Sequence, residues 1–573
     1  MSLIIRSLNS ARSIHAPTYV GLRYFANSLV SNTDSGLGEA IITRHFPSSY
    51  PPCYRIVKRL KNLQDNGQHE YRDMLIPSPL TFMAEAKVLK GLSNVSSLRP
   101  LANVYSYRFP EDDASNFQPY YPSYCERNEE IAKALNGQGS SVVFVFDIRN
   151  FYPSIPMAGL AERLIGTAER GELQKSDLAT LKGLAEASVR YCDGKLPVGP
   201  ELSHIIANFY LRGLDEKLNS KFGSNYFRYV DDIIIVARPG AKDDTEKLLK
   251  DELDKLGLQL NSSKQQMLTG DQWREYGPPN SVEIGPGTLS SLVFAIKVFS
   301  AKNGSDEFTK LCQKLSDSGV NLPFERMRQG ACQPNFLMRV QTLIRKGWSP
   351  AEKAATHDPS EIVQMAKTVR SNCKSKLKVA HSTASKMSDL GVSTRFLVQR
   401  INGLARQLMY FSDNEQVKNE LLPIIECYPE LLGLKIVADC ITSGDASEII
   451  QLPGPNLAFY CGLHNAKRLS MRSLGSYKLK GPADLEGMAT MQLYGCLPET
   501  PVLLDKLQVD QLRYLSFCLG RPSASGLNFD FSYVHEMSTL MLKQNCPTPR
   551  DVLLSKHPLE DVYVEGISDL ENY

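Results

Sequence analysis

The sequence predicts an α+β front half, extending to about Gly287, followed by an all-α back half. Three observations carry this. The runs Val142–Ile148 (VVFVFDI) and Tyr226–Ala237 (YFRYVDDIIIVA) are dense in β-branched and aromatic residues, the texture of buried strands. Between them, Ala158–Ala187 and Glu201–Leu218 read as helices. Beyond Gly285–Ser291 (GPGTLSS), helix-length stretches at Phe324–Lys346, Pro359–Met387, Thr394–Phe411 and Gln416–Cys440 are split by Gly, Pro, Asn or Asp.

Taken in order, the first 32 residues hold no acid and carry Arg6, Arg12 and Arg23. Transit peptides share that composition, but an ordinary first helix or arm is the expectation for residues 1–50. Residues 51–300 form the mixed unit and residues 301–573 the helical one, with the boundary between 285 and 325. Leu292–Ser300 (LVFAIKVFS) reads as one more strand. The 573 residues are 42% hydrophobic and 22% charged, which excludes wholesale disorder. No uncharged apolar run reaches the length of a membrane span, so no membrane partner is expected. The 12 cysteines are scattered, with no pair two to four residues apart, which excludes the common zinc motifs and fits a reducing cytoplasm. Net charge is only +3, so any basic surface is local.

The sharpest chemical feature is Tyr229-Val230-Asp231-Asp232, two adjacent carboxylates at the tip of an apolar strand pair. Carboxylates gathered there are costly unless a cation joins them, and hard oxygen donors suit Mg²⁺. Asp147 ends a second apolar strand. A carboxylate at one strand end and a pair at a hairpin tip meet the requirement of a two-metal site, whose ions lie about 3.5–4 Å apart. Asp193–Asp215 (DGKLPVGPELSHIIANFYLRGLD) adds a hairpin signal at Asp193-Gly194, then a stiff Pro197-Gly199-Pro200 turn feeding a helix from about Glu201.

In order and spacing these segments resemble the reverse transcriptase family. Asp147 matches the aspartate of the first palm motif, YVDD the second, and LPVGPELSHIIAN the motif between them. LGLQLNSSK, ending at Lys264, looks like the next palm motif, and EYRDMLIPSPLTFMAEAKVL, with Arg72, like the fingers segment. The resemblance covers residues 50–300 and implies a right-hand fingers–palm polymerase fold, with the all-α, repeat-like domain at the thumb position. DIRNFYPSI, SYRFP and PVGPELSHIIAN look most like the bacterial abortive-infection and defence-associated branch. The asparagine–alanine–histidine signature of retron enzymes is missing ahead of the palm, and no HNH-type motif or RNase H set of acids is apparent.

The resemblance also implies roles. Asp147 and Asp231 would bind both Mg²⁺ ions (Mn²⁺ could substitute), with the Ile148 carbonyl as a further ligand and Asp232 as the weaker one. Tyr152, five residues after Asp147 and beside Phe151, falls at the steric-gate position, where a ring excludes a 2′-hydroxyl. Arg72 would contact the dNTP triphosphate, joined by Lys58 or Lys61. Gly199 and Ser203 would line the nucleotide pocket, and Val198 stands where many retroviral-type enzymes have glutamine. Lys264 would protonate the leaving pyrophosphate.

Residues 301–400 hold 17 Lys and Arg against 8 Asp and Glu, and the next 50 hold 3 against 8. The densest basic stretch, Lys367, Arg370, Lys374, Lys376 and Lys378, reads either as a solvated face or as a surface for the DNA or RNA backbone. The apolar later helices suggest a homo-oligomer. The expected function is therefore addition of dNTPs to a 3′-hydroxyl by two-metal chemistry, in the bacterial cytoplasm and in antiphage defence. Template-independent and protein-primed synthesis are both compatible. The alternatives are a templated retron or mobile-element enzyme working with a non-coding RNA, and a catalytically silent nucleic-acid-binding assembly protein.

Overall fold

The computed structural model describes residues 3–30, 40, 42–44, 46–47, 51–63, 69–110, 115–136, 140–279, 287–327, 358–389, 394–444, 448–452, 454–465, 482–496, 509–520, 533–541 and 547–554. Most of the predicted helix Phe324–Lys346 lies outside them; Phe324–Met327 is helical.

Strand β3, Val142–Asp147, is buried at all six positions because helices cover both faces of its sheet. Val143 and Val145 join Ile131, Leu135, Val236 and Trp273 on one side, while Phe144 and Phe146 join Ile205, Ile206, Leu211 and Ile235 on the other. Two-sided burial is why the run shows no polar alternation. The sheet is antiparallel with order β4–β5–β3–β6, where β4 is Tyr226–Tyr229, β5 is Asp232–Ala237 and β6 is Gln266–Thr269. The helix Leu202–Phe222 backs one face; the helix Tyr120–Asn136 and the short helix Gly270–Tyr276 back the other.

The fingers-like hairpin pairs β1, Tyr54–Leu63, with β2, His69–Pro77. It is tied to the mixed unit by Leu75 N–H donating to the Val198 carbonyl at 2.7 Å. Gly199 follows at φ +123°, and a Cβ there would stand 2.3 Å from the Leu75 carbonyl oxygen, so only glycine permits this approach.

Three expectations are corrected. Leu292–Ser300 is not a strand but part of the helix Leu289–Lys302. Its buried residues Leu292, Val293, Ile296 and Phe299 do recur at helical spacing, but the intervening apolar Phe294 and Val298 hide the period. Asp193-Gly194 is a turn, yet not between strands: the helix Lys175–Tyr191 runs up to it, and Lys195 then bridges to Pro156. The stretch Ala158–Ala187 is two helices, Leu160–Arg170 and Lys175–Tyr191, broken at Gly171.

The first and the last described helices meet. Helices Leu3–Ile14 and Ala16–Val30 pack on Pro79–Leu92, and the second also contacts helices Pro482–Leu493, Tyr533–Met541 and Pro549–Leu554. At their centre the buried Glu486 accepts from Arg55 of β1 at 2.7 Å and from the Tyr514 hydroxyl at 2.9 Å, with His15 Nε2 at 3.4 Å. Burial opposes its ionisation, but Arg55 and His15 win and hold the carboxyl down at about 2. Further back, the 31-residue helix Pro359–Asp389 packs on Arg395–Met409 and Leu289–Lys302.

A second buried acid behaves oppositely. Glu85 accepts from the Glu201 backbone N–H at 2.9 Å and from the Tyr54 hydroxyl at 3.3 Å. Burial first, and the charge of Glu201 second, push its carboxyl up to about 8; burial likewise pushes Glu201 up to about 7. The folded state therefore holds these protons above the ordinary value of 4.5, and stability falls as pH rises from there toward 8. Thermal unfolding followed between pH 5 and 8.5 should show this decline, and Glu85→Gln, which keeps an acceptor without a titrating proton, should flatten it.

Candidate active site

The site forms where β3 ends and β5 begins: Asp147 and Asp232 are directly opposed partners across the two strands. Asp231 lies in the turn between β4 and β5, and its carbonyl accepts the Ile148 N–H at 3.2 Å. The turn is strained. Val230 has φ +54°, a left-handed conformation that a β-branched residue rarely adopts. Its N–H donates to Ser106 Oγ at 2.9 Å, and its carbonyl accepts from Arg228 Nη1 at 2.9 Å.

Arg228 is itself buried inside β4. It makes a bidentate pair with Asp215, 2.7 Å at each arm, and donates to Asn208 Oδ1 at 3.1 Å. The Tyr226 hydroxyl donates to the same Asp215 at 2.6 Å. A fully paired buried ion pair, rooted in the helix Leu202–Phe222, thus fixes the turn that carries Asp231 and Asp232.

Two of the carboxylates are paired with cations. Asp147 accepts from Asn261 Nδ2 at 2.9 Å and from Lys264 Nζ at 3.0 Å. Asp232 accepts from Arg395 Nη2 at 3.3 Å, across from the helical half, and Arg395 Nη1 is buried without a hydrogen-bond partner among the described residues. Asp231, most affected, has its carboxyl pushed up to about 7 by burial first, then by Asp232 and Asp147, with Lys264 opposing. Among the described residues no three acidic, His or Cys side chains already converge as a cation cage, and Lys264 and Arg395 pair with the outer two carboxylates. The donor set nevertheless fits a hard divalent cation: it is all oxygen, crowded enough to raise one member's pKa, and cationic charge there would relieve the repulsion.

With that geometry in place, comparison with known proteins is decisive for the segment that carries it. Residues 86–309 match the family model described as reverse transcriptase (RNA-dependent DNA polymerase). This segment belongs to the reverse transcriptase family. Over 108 residues the chain is 34% identical to the Retron Ec73 reverse transcriptase of Escherichia coli; the match covers 18% of this chain and 34% of that relative, about a third of its length. A telomerase from Candida albicans, solved with a TWJ fragment of telomeric RNA, aligns at 13% identity over 69% of this chain and 64% of its own, with a TM-score of 0.28, too low to carry any argument.

The other expected site residues of the reverse transcriptase segment and its flanks fall as follows. Phe151 is buried, and Tyr152 is partly buried with its hydroxyl 2.6 Å from His204 Nδ1. Gly199 is pressed against β2, and Ser203 is buried in the first turn of its helix. Arg72 is exposed on β2 opposite Arg59, while Lys58 pairs with Asp73 and Lys61 with Glu70 at 2.7 Å. The five basic residues share the helix Pro359–Asp389 but not one role. Arg370 donates to Gln416 at 2.5 Å and Lys374 pairs with Glu420 at 2.7 Å, Lys376 is half-buried, and Lys367 and Lys378 are exposed.

Sequence reasoning missed Arg228, Asp215, Asn208, Ser106, Asn261 and Arg395. Arg228 had a signal: a charge inside an otherwise apolar strand needs a buried partner. Arg395 had none, being 163 residues from Asp232 along the chain. Removing one partner of the buried pair leaves the other uncompensated, so Asp215→Ala should cost roughly 3–5 kcal/mol. Arg395→Gln, at a part-exposed pair, should change stability by less than about 1 kcal/mol. Chemical denaturation of both variants against wild type checks the contrast.

Proposed function

We propose that this protein is an RNA-directed DNA polymerase that adds deoxynucleotides to a 3′-hydroxyl at Asp147, Asp231 and Asp232. The observation that carries the reading is the opposition of Asp147 and Asp232 across paired strands, with Asp231 next to Asp232 in the β4–β5 turn, inside a segment matching the reverse transcriptase model. Mg²⁺, or Mn²⁺, would be held by the three carboxylates and would supply Lewis-acid stabilisation of the phosphoryl oxygens. Around it, the Arg228–Asp215 pair keeps the turn in place. Asn261 orients Asp147 through one oxygen. Lys264, 3.0 Å from the other and part-exposed, is within reach to deliver a proton to leaving pyrophosphate. Arg72 on the fingers hairpin is free to meet a triphosphate, whereas Lys58 and Lys61 already neutralise neighbouring acids.

Antiphage defence in bacteria is the context we favour, resting on the sequence resemblance of DIRNFYPSI, SYRFP and PVGPELSHIIAN. A templated retron-type enzyme is the second reading, favoured by the 34% identity to the Retron Ec73 reverse transcriptase. Sequencing the product separates them: a faithful copy of one structured RNA supports the retron reading, and a sequence with no template supports the defence reading.

Incorporation of labelled dNTP with Mg²⁺ tests the activity itself. Asp231→Ala should abolish it without loss of stability, because removing one of three crowded carboxylates relieves repulsion. Wild-type rates in Asp231→Ala would refute the assignment.

For nucleic acid, Lys367 and Lys378 are the exposed members of the basic helix. Lys367→Glu with Lys378→Glu should weaken binding and reduce the slope of affinity against salt by about one per lysine removed from a phosphate. Lys374→Glu should in addition destabilise the helical half by losing Glu420. Titrations at several salt concentrations, with melting curves alongside, check both.

A further inference from the structure

Tyr107, like Val230, holds left-handed backbone beside the site, with φ +54°. It belongs to Ser106–Pro110, whose first member holds the Val230 turn and whose aromatic members take no part in holding a cation or a triphosphate. A bulky side chain keeps such a conformation only where its surroundings enforce it. Here the Tyr107 ring lies flat on His204, centroids 3.6 Å apart and planes within 5°. Phe117 closes the other edge, 6.0 Å from His204 at 68° and 5.3 Å from Tyr107 at 68°.

His204 in turn meets Tyr152, its Nδ1 at 2.6 Å from the phenol oxygen and its ring 5.7 Å from the Tyr152 ring at 79°. Burial pushes the His204 pKa down to about 3, so the imidazole is neutral, and with its proton on Nε2 the Nδ1 accepts. Burial also raises Tyr152, so its hydroxyl stays protonated and can donate to that Nδ1. Ser106, next to Tyr107, holds the Val230 turn, and Tyr152 follows Asp147 by five residues, which places the cluster beside the carboxylates.

We propose that His204 and Tyr107 are positioning residues that clamp the Tyr152 ring, and that this clamp sets the discrimination between deoxyribose and ribose on the incoming nucleotide. The inference rests on the polymerase reading above and on Tyr152 as the residue at the sugar. A ring excludes a 2′-hydroxyl only if it cannot yield to it. Tyr152 could yield by rotating about its side-chain bonds, and the hydrogen bond at the far end of the ring opposes that rotation with the longest lever. His204 cannot recoil, because it is stacked against a ring whose own backbone is locked.

The test compares kcat/KM for a dNTP and the matching rNTP in wild type, Tyr152→Phe, His204→Phe, His204→Gln and the Tyr152→Phe/His204→Phe double variant. Tyr152→Phe and His204→Phe should each lower the dNTP preference about fivefold, the weight of one hydrogen bond, through a lower KM for the rNTP. His204→Gln, which keeps an acceptor, should stay nearer wild type. The double variant should lose no more than either single one, because both remove the same bond. Melting curves identify any variant that fails to fold, and the Tyr152→Phe result then decides alone. Unchanged preference in both single variants, or equal losses for both sugars, would overturn the clamp. A wild-type protein that incorporates neither sugar would overturn the polymerase reading and this inference with it.

Discussion

Three carboxylates that repel one another have to be held at the ends of two paired strands, and nearly every unusual feature of the front half follows from that constraint. The sheet supplies the first restraint, since Asp147 and Asp232 are fixed opposite each other by the β3–β5 register. The turn between β4 and β5 supplies the second, at the cost of left-handed backbone at Val230. The buried pair of Arg228 with Asp215 supplies the third. It gathers the Val230 carbonyl, Asn208 and Tyr226 into one satisfied network, so a charge within an apolar strand becomes an anchor rather than a defect.

Cations complete the balance from outside the sheet. Lys264 and Arg395 approach the two outer carboxylates and leave Asp231 the least compensated. Arg395 comes from the helical half, so the charge state of the site and the placement of that half are physically linked. A second link joins the fingers-like hairpin to the helical half through Arg55 and Glu486, and through the Tyr71 hydroxyl donating to the Gln451 carbonyl at 2.7 Å. The helical half thus touches both the carboxylates and the hairpin that would carry Arg72.

The parts legible in the sequence are those where one physical requirement dominates a short stretch. VVFVFD and IIIVA announce strands because both faces are buried, and Asp147, Asp231 and Asp232 stand out as acids that interrupt apolar runs. The glycine of the PVGPE turn was visible as a residue type, but its reason, the Leu75 carbonyl 2.3 Å from a would-be Cβ, lies in a distant strand. LVFAIKVFS misled because a helix apolar nearly all round shows no contrast between faces. The packing of the first two helices against the last ones, and the approach of Arg395, depend on contacts hundreds of residues apart and leave no local pattern. Local rules reach such features only through an unpaired charge, as Arg228 illustrates.

The central claim is that the three carboxylates form a divalent-cation site for nucleotide chemistry. Mn²⁺ binding to the whole protein, followed by electron paramagnetic resonance with and without a dNTP, addresses it directly. Saturable Mn²⁺ binding that tightens with dNTP, and that is lost in both Asp147→Ala and Asp231→Ala, is the result this account predicts. Equal Mn²⁺ binding in wild type and both variants would contradict it.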